Sequence, residues 1–138
     1  MELRIEKETL ISDAQREFNT FYPYLRIEFF ENLHPENKKP AKAKKIDPNK
    51  SICWLTKLSG SGRIDIDRKR TVAEVENDFA QTFGLSVQVF RKSANLWIET
   101  SLTDNWTLDK QNKEGESFNV HVSKSPEQRI EDKMIDLD

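Results

Sequence analysis

The chain has 138 residues, of which 36% are hydrophobic and 33% are charged. Eight Phe, three Trp and two Tyr supply enough large apolar side chains for one core, which excludes both a wholly disordered chain and two independent domains. The formal charge of -2 excludes a whole-molecule attraction to nucleic acid or to an anionic membrane. The one cysteine, Cys53, excludes an internal disulfide. We therefore expect a single domain over residues 1–138, with no membrane segment and a cytoplasmic location.

Residues 1–31 are predicted to form a first β-α-β unit. Leu3 and Ile5 alternate with charged residues, as in a half-buried strand. A capping box over Ser12–Gln15 predicts the start of a helix, which ends before Pro23. Its apolar stripe consists of Ile11, Ala14, Phe18 and Phe21. Residues 25–30 alternate again and predict the second strand.

A loop rich in lysine and proline is predicted at residues 32–50, followed by a short strand and a linker at residues 51–62. The candidate nucleic-acid-binding residues are its six lysines, Lys38, Lys39, Lys42, Lys44, Lys45 and Lys50. No aromatic residue lies between Glu36 and Lys50 to stack on bases. A solvated, disordered loop is therefore favoured over a nucleic-acid site.

The pattern of the first unit returns 60 to 61 residues later and predicts an internal duplication. Ile64 and Ile66 alternate in a strand, and Thr71–Glu74 forms a capping box. The helical stripe that follows consists of Val72, Val75, Phe79 and Phe83. Gly84 is placed to end this helix in the left-handed conformation, and residues 85–89 alternate in the next strand.

The second unit is predicted to extend over residues 63–123. A hairpin turn at residues 91–95 leads to a strand at 96–100, and a short helix from Thr107 ends at Gly115. Phe118, Val120 and Val122 alternate as a last strand. The order β-α-β-β-α-β predicts an α+β fold, either ferredoxin-like or β-grasp-like, and residues 124–138 form a charged tail.

Several segments resemble a family of small bacterial proteins of uncharacterised function that contain two β-α-β units. They are residues 83–93, 95–100 and 104–108, together with Phe29, Phe30 and Asp47-Pro48-Asn49. The resemblance covers most of the chain. It implies a recurring two-copy domain, and it implies no activity, cofactor or ligand.

The residue types that carry catalysis or bind metals are scattered. His34, His121 and Cys53 lack the paired spacing of a metal site, and Cys53 stands among apolar neighbours, as a buried thiol does. Asp65 and Asp67 share one face of a strand, which alternation alone explains. We therefore expect no catalytic, cofactor-binding or metal-binding residues.

Trp97 and Trp106 are the candidate partner-binding residues. Trp97 falls on the face of its strand opposite Leu96 and Ile98, and Trp106 precedes the short helix. Either ring could instead close a small core. The leading hypothesis is a non-catalytic protein-interaction module that binds a protein partner or a second copy through a sheet edge or the tryptophan-bearing face. A nucleic-acid-binding accessory protein and an enzyme with an unmarked site are the alternatives.

Overall fold

A computed structural model describes residues 1–6, 8–30, 45–52 and 62–122, with side chains to residue 119 in the last range. The fold is α+β, as the sequence predicts. Its elements are β1 (Glu2–Ile5), α1 (Ile11–Phe21), β2 (Leu25–Phe30), β3 (Gly62–Asp65), α2 (Val72–Phe83), β4 (Ser86–Ser93), β5 (Leu96–Glu99), a 3-10 turn (Ser101–Thr103) and α3 (Leu108–Val122).

The described strands form two antiparallel sheets, one of β1 with β3 and the other in the order β2-β4-β5. Leu3 lies opposite Ile64 in the first sheet, and Glu28 lies opposite Gln88 in the second. These are the positions that the shifts of 61 and 60 residues make equivalent. Antiparallel pairing of equivalent positions is what a two-fold axis between two units produces. The two β-α-β units are therefore related by an approximate dyad within the chain.

The equivalence of the two units extends to the starts of α1 and α2. Two successive N–H groups at each helix start donate to carbonyl oxygens of a later turn, which satisfies groups that a helix leaves unpaired. These bonds are Ile11 N to Lys50 O (3.0 Å), Ser12 N to Pro48 O (2.9 Å), Val72 N to Trp106 O (3.1 Å) and Ala73 N to Asp104 O (2.8 Å). Residues 45–50 thus belong to the folded first unit, and this part of the predicted loop is an ordered loop. Residues 32–44 lie outside the described ranges.

The apolar stripes predicted for α1 and α2 pack into the core, together with the inward side chains of the strands. Ile11, Ala14 and Phe18 of α1 are buried, and so are all four predicted members of the α2 stripe. The prediction that Phe21 belongs to the buried stripe of α1 is wrong, because Phe21 is 40% exposed. Tyr22 takes its place one residue beyond the helix end, where its ring lies 5.4 Å from that of Phe18.

The helix ends follow the predicted chemistry in α2 more closely than in α1. The Thr71 hydroxyl accepts from the Glu74 N–H at 3.1 Å, and Gly84 has a φ of 65°, as predicted. The capping box at Ser12–Gln15 is wrong, because α1 starts after Leu10. The carboxylate of Asp13 accepts from the Leu10 N–H at 3.2 Å, so the acidic residue caps the helix from inside its first turn.

The end of the second unit differs from the prediction. Residues 118–122 continue α3 and are not a strand, and Gly115 lies buried inside the helix. The side of α3 that meets β2 and β4 is polar or small, with Gln111, Asn112, Gly115 and Asn119 at helical spacing. Moreover, β3 pairs with β1, and among the described strands it does not join β4 and β5. The described part of the second unit therefore does not confirm the predicted ferredoxin-like or β-grasp-like topology.

Replacing Gly115 with alanine is expected to destabilise the protein, although alanine inside a helix normally stabilises by about 1 kcal/mol. A Cβ at this position would lie 2.8 Å from the Tyr24 Cβ and 3.1 Å from the Arg91 Cγ. The Tyr24 Cβ is attached to the backbone and moves only with β2, so we expect a net loss of about 1 to 2 kcal/mol. Denaturant unfolding measures it, with exposed Glu116→Ala as the control. Stabilisation by Gly115→Ala would contradict this close packing.

Candidate functional site

β5 is an edge strand among the residues that the structure describes. It pairs with β4 on one side, through a tight turn in which Ala94 has a φ of 56°, and no described residue pairs with its other side. An edge strand presents backbone N–H and C=O groups that an extended segment of another chain can bind. Of the devices that commonly block such pairing, β5 lacks proline, lysine and a bulge, whereas it is short, with four residues, and carries the charge of Glu99.

The pairing register shows which backbone groups of β5 point outward. The Lys92 N–H donates to the Tyr24 carbonyl at 3.0 Å, so it points toward β2 and away from β5. Lys92 lies opposite Trp97. Because hydrogen-bonded and non-hydrogen-bonded pairs alternate in an antiparallel ladder, Trp97 and Glu99 direct their N–H and C=O groups away from the sheet. Two donors and two acceptors are thereby presented at this edge.

Exposed apolar side chains accompany these groups. Leu96 is 69% exposed and Ile98 is 37% exposed on β5, and Leu102 in the following 3-10 turn is 98% exposed. We name the outward groups of Trp97 and Glu99 together with these three side chains the β5 edge surface. It combines an open hydrogen-bonding ladder with apolar contact area, a combination that strand addition uses.

Phe118 of α3 is a further exposed apolar side chain. Its side chain is 47% exposed. The amide of Gln111, on the same side of α3 and two turns earlier, donates to the Thr103 carbonyl at 2.8 Å, just beyond β5. Asn119 donates to the Lys92 carbonyl at 2.8 Å, which places this part of the helix beside the β4–β5 hairpin. The part of α3 that carries Phe118 therefore packs beside β4.

Trp97 is located where the sequence predicts, on the face of β5 opposite Leu96 and Ile98, but its ring is half-buried. The guanidinium of Arg26 lies 5.9 Å from the ring centroid, and the Arg26 Nε lies 2.6 Å from the carboxylate of buried Glu28. Arg26 thus links Trp97 to a buried carboxylate. The side chains of Leu96 and Ile98 on the opposite face of β5 are more exposed than that of Trp97.

Trp106 is held between two cations. The Lys110 Nζ lies 4.2 Å from its ring centroid, and the Arg91 guanidinium lies 5.6 Å from it. Its carbonyl oxygen also accepts the Val72 N–H at the start of α2. These contacts occupy the ring and the backbone of Trp106, so they favour a structural role over the predicted partner-binding role.

The remaining candidate residues are not brought together in the described ranges. Lys45 is exposed, with its Nζ 5.6 Å from the Phe90 ring centroid, and Lys50 is exposed beside the start of α1. The other four lysines, His34 and Cys53 lie outside the described residues, and His121 lies in α3 with a side chain that is not described. No group of three or more His, Cys, Asp or Glu side chains in the described ranges is placed to hold a metal ion.

The sequence analysis did not single out Leu96 and Ile98, the exposed residues of β5. Their alternation with Trp97 was visible, but alternation alone does not show which face a helix will cover. The useful signal was the shortness of the strand after a two-residue turn, because short strands are typical of sheet edges.

Comparison with known proteins adds no name to this description. No protein-family model, curated protein or solved structure matches the chain. The resemblance to small bacterial proteins therefore stays a prediction. Across the described ranges, no helix has the length and apolar character that crossing a membrane requires.

Proposed function

We propose that this chain is a non-catalytic protein-binding module that adds an extended segment of a partner to the β5 edge. The observation that carries the proposal is the outward ladder of Trp97 and Glu99, flanked by exposed Leu96 and Ile98. Backbone hydrogen bonds would supply general affinity for an extended segment, and the apolar side chains would select alternate residues of it.

The energetics favour a binding site of moderate strength. A backbone hydrogen bond contributes roughly 0.5 to 1.5 kcal/mol net, and the edge offers two donors and two acceptors. Burying the exposed parts of Leu96 and Ile98 would add apolar contact at about 25 cal/mol per Å². The ordering of a flexible segment opposes both terms. A transient complex, such as those of signalling or assembly proteins, fits this balance.

The other two functions that the sequence allowed receive less support from the described contacts. Lys45 contacts an aromatic ring through its Nζ, and the backbone carbonyl of Lys50 accepts the Ile11 N–H. Neither observation points to a phosphate ligand. A nucleic-acid role and an unmarked enzymatic site therefore stay predictions from the sequence.

A displayed library of extended peptides would test the proposal. We expect the selected peptides to bind at least about tenfold more weakly to Ile98→Lys, because an anchor side chain is lost and a charge is placed in the apolar strip. Phe21→Lys is the matched control, since Phe21 is 40% exposed and Ile98 is 37% exposed. Phe21 lies in α1, and its replacement should leave binding unchanged.

Methylation of the peptide backbone makes the test specific for strand addition. In an antiparallel pair, alternate amides of the added strand face β5. Methylating those amides should abolish binding, whereas methylating the amides between them should have little effect. Selected peptides that tolerate methylation at every amide, or that bind Ile98→Lys as tightly as the wild type, would contradict the proposal.

A further inference from the structure

We infer that the segment bound at the β5 edge is β5 of a second copy of this chain, paired antiparallel across a two-fold axis at Ile98. The inference rests on the proposed function and names its partner. A second copy presents an identical open edge, so one two-fold contact satisfies both edges and leaves neither available for further strand addition.

Three registers of β5 against β5 place residues with outward backbone groups opposite each other. With Glu99 opposite Glu99 of the second copy, two carboxylates face each other, which is destabilising. With Trp97 opposite Trp97, the other outward residue, Glu99, would have to pair with Asn95, which lies in the turn. The remaining register places Ile98 at the axis and pairs Trp97 with Glu99 twice, so every outward donor and acceptor of both strands is used.

In the same register, the side chains of the two β5 strands are complementary to each other. Ile98 faces Ile98 in a non-hydrogen-bonded pair, where side chains approach most closely. Glu99 of the second copy would lie beside Trp97, which is opposite Lys92 in the sheet. An acidic side chain is thereby brought toward the Lys92 ammonium group, and the two copies of Glu99 are not directly opposite each other.

The fold already uses this type of contact between its own halves. The β2–β4 ladder pairs equivalent positions of the two β-α-β units about the pair Glu28 and Gln88. A β5–β5 contact would add a second antiparallel dyad to the same sheet, with the strand order β2-β4-β5-β5-β4-β2. The contact is continuous with an antiparallel sheet that the chain already forms.

Disulfide trapping tests the register. In a Cys53→Ser background, Ile98→Cys should form a covalent dimer under mild oxidation, because paired Cβ atoms at a non-hydrogen-bonded site lie about 4.5 to 5.5 Å apart. Leu96→Cys is the matched control on the same face. In this register its two copies are offset by four residues, about 13 Å along the strand, so it should not cross-link. Cross-linking through Leu96→Cys or Trp97→Cys in preference to Ile98→Cys would overturn the inference.

Sedimentation equilibrium tests the contact without a covalent bond. We expect a reversible dimer in the wild type, dimerisation at least about tenfold weaker in Ile98→Lys, and no change in Phe21→Lys. The amides of Trp97 and Glu99 should become protected from hydrogen exchange as the concentration rises. A chain that stays monomeric at millimolar concentration would overturn the inference, whether its edge amides exchange freely or are protected by another segment of the same chain.

The two proposals fail in different ways. A monomeric chain whose displayed peptides still depend on Ile98 would overturn self-pairing and leave strand addition intact. A dimer whose dissociation constant is unchanged by Ile98→Lys would overturn the inference, because its interface would lie elsewhere. A library that yields no peptide dependent on Ile98 would contradict the proposed function.

Discussion

Replacing Phe79 with alanine is expected to lower the free energy of unfolding by about 4 kcal/mol. Phe79 is fully buried between the two units of the fold. Its ring meets Phe29 of β2 edge to face at a centroid distance of 5.6 Å, and it lies 6.3 Å from the Phe83 ring. The substitution removes both aromatic contacts and leaves a cavity where α2 packs on the larger sheet.

Phe21→Ala is the matched control for Phe79→Ala. It makes the same chemical change at a side chain that is 40% exposed near the end of α1, so the expected loss is below about 1 kcal/mol. Urea unfolding followed by tryptophan fluorescence measures both variants. Equal losses would show that Phe79 does not lie in the core that joins the units.

Raising the pH from 10 to 12 is expected to remove about 2 kcal/mol of stability through Tyr22. Burial raises the pKa of Tyr22 to about 12, and the nearby carboxylates of Asp67 and Asp109 add to the shift. The Tyr22 hydroxyl donates to the Ile66 carbonyl at 2.5 Å, a bond that requires the neutral phenol. The unfolded chain ionises near the ordinary pKa of 10.0, so high pH favours unfolding.

The sign of this effect follows from the raised pKa. The stabilising contribution is complete below pH 10, falls as the unfolded tyrosine ionises, and is lost once the folded tyrosine ionises near 12. Chemical denaturation across this range should show a steeper loss in the wild type than in Tyr22→Phe. Tyr24→Phe, which changes the other tyrosine, should keep the wild-type slope. Parallel losses in the wild type and Tyr22→Phe would contradict the assignment.

The sequence predicted the parts of the fold that rest on strong local chemistry. The α2 helix begins and ends as its residues indicate, because Thr71 and Glu74 cap its start and only glycine adopts a left-handed φ without strain at position 84. The shifts of 61 and 60 residues also matched the pairing of equivalent positions across the sheets. Local patterns sufficed wherever a single helix or strand buried one apolar face.

The prediction from the sequence was wrong for the last helix, where polar side chains make the contacts with the rest of the fold. α3 meets the sheet through Gln111, Asn112 and Asn119, whose hydrogen bonds to Thr103, Tyr24 and Lys92 give no hydrophobic period. The alternation of Phe118, Val120 and Val122 therefore indicated a strand. The exposure of Leu96 and Ile98 was likewise not visible in the sequence, because alternation along a strand does not show which residues the rest of the fold covers.

Amide hydrogen exchange, measured by NMR on the dilute monomer while a selected peptide is added, tests the β5 edge most directly. The amides of Trp97 and Glu99 should exchange freely without peptide and become strongly protected with it, whereas the Ile98 amide, paired with Arg91 inside the sheet, should change little. That alternation along three consecutive residues is the signature of a strand added to an edge. Peptide binding that leaves Trp97 and Glu99 unprotected would contradict the account.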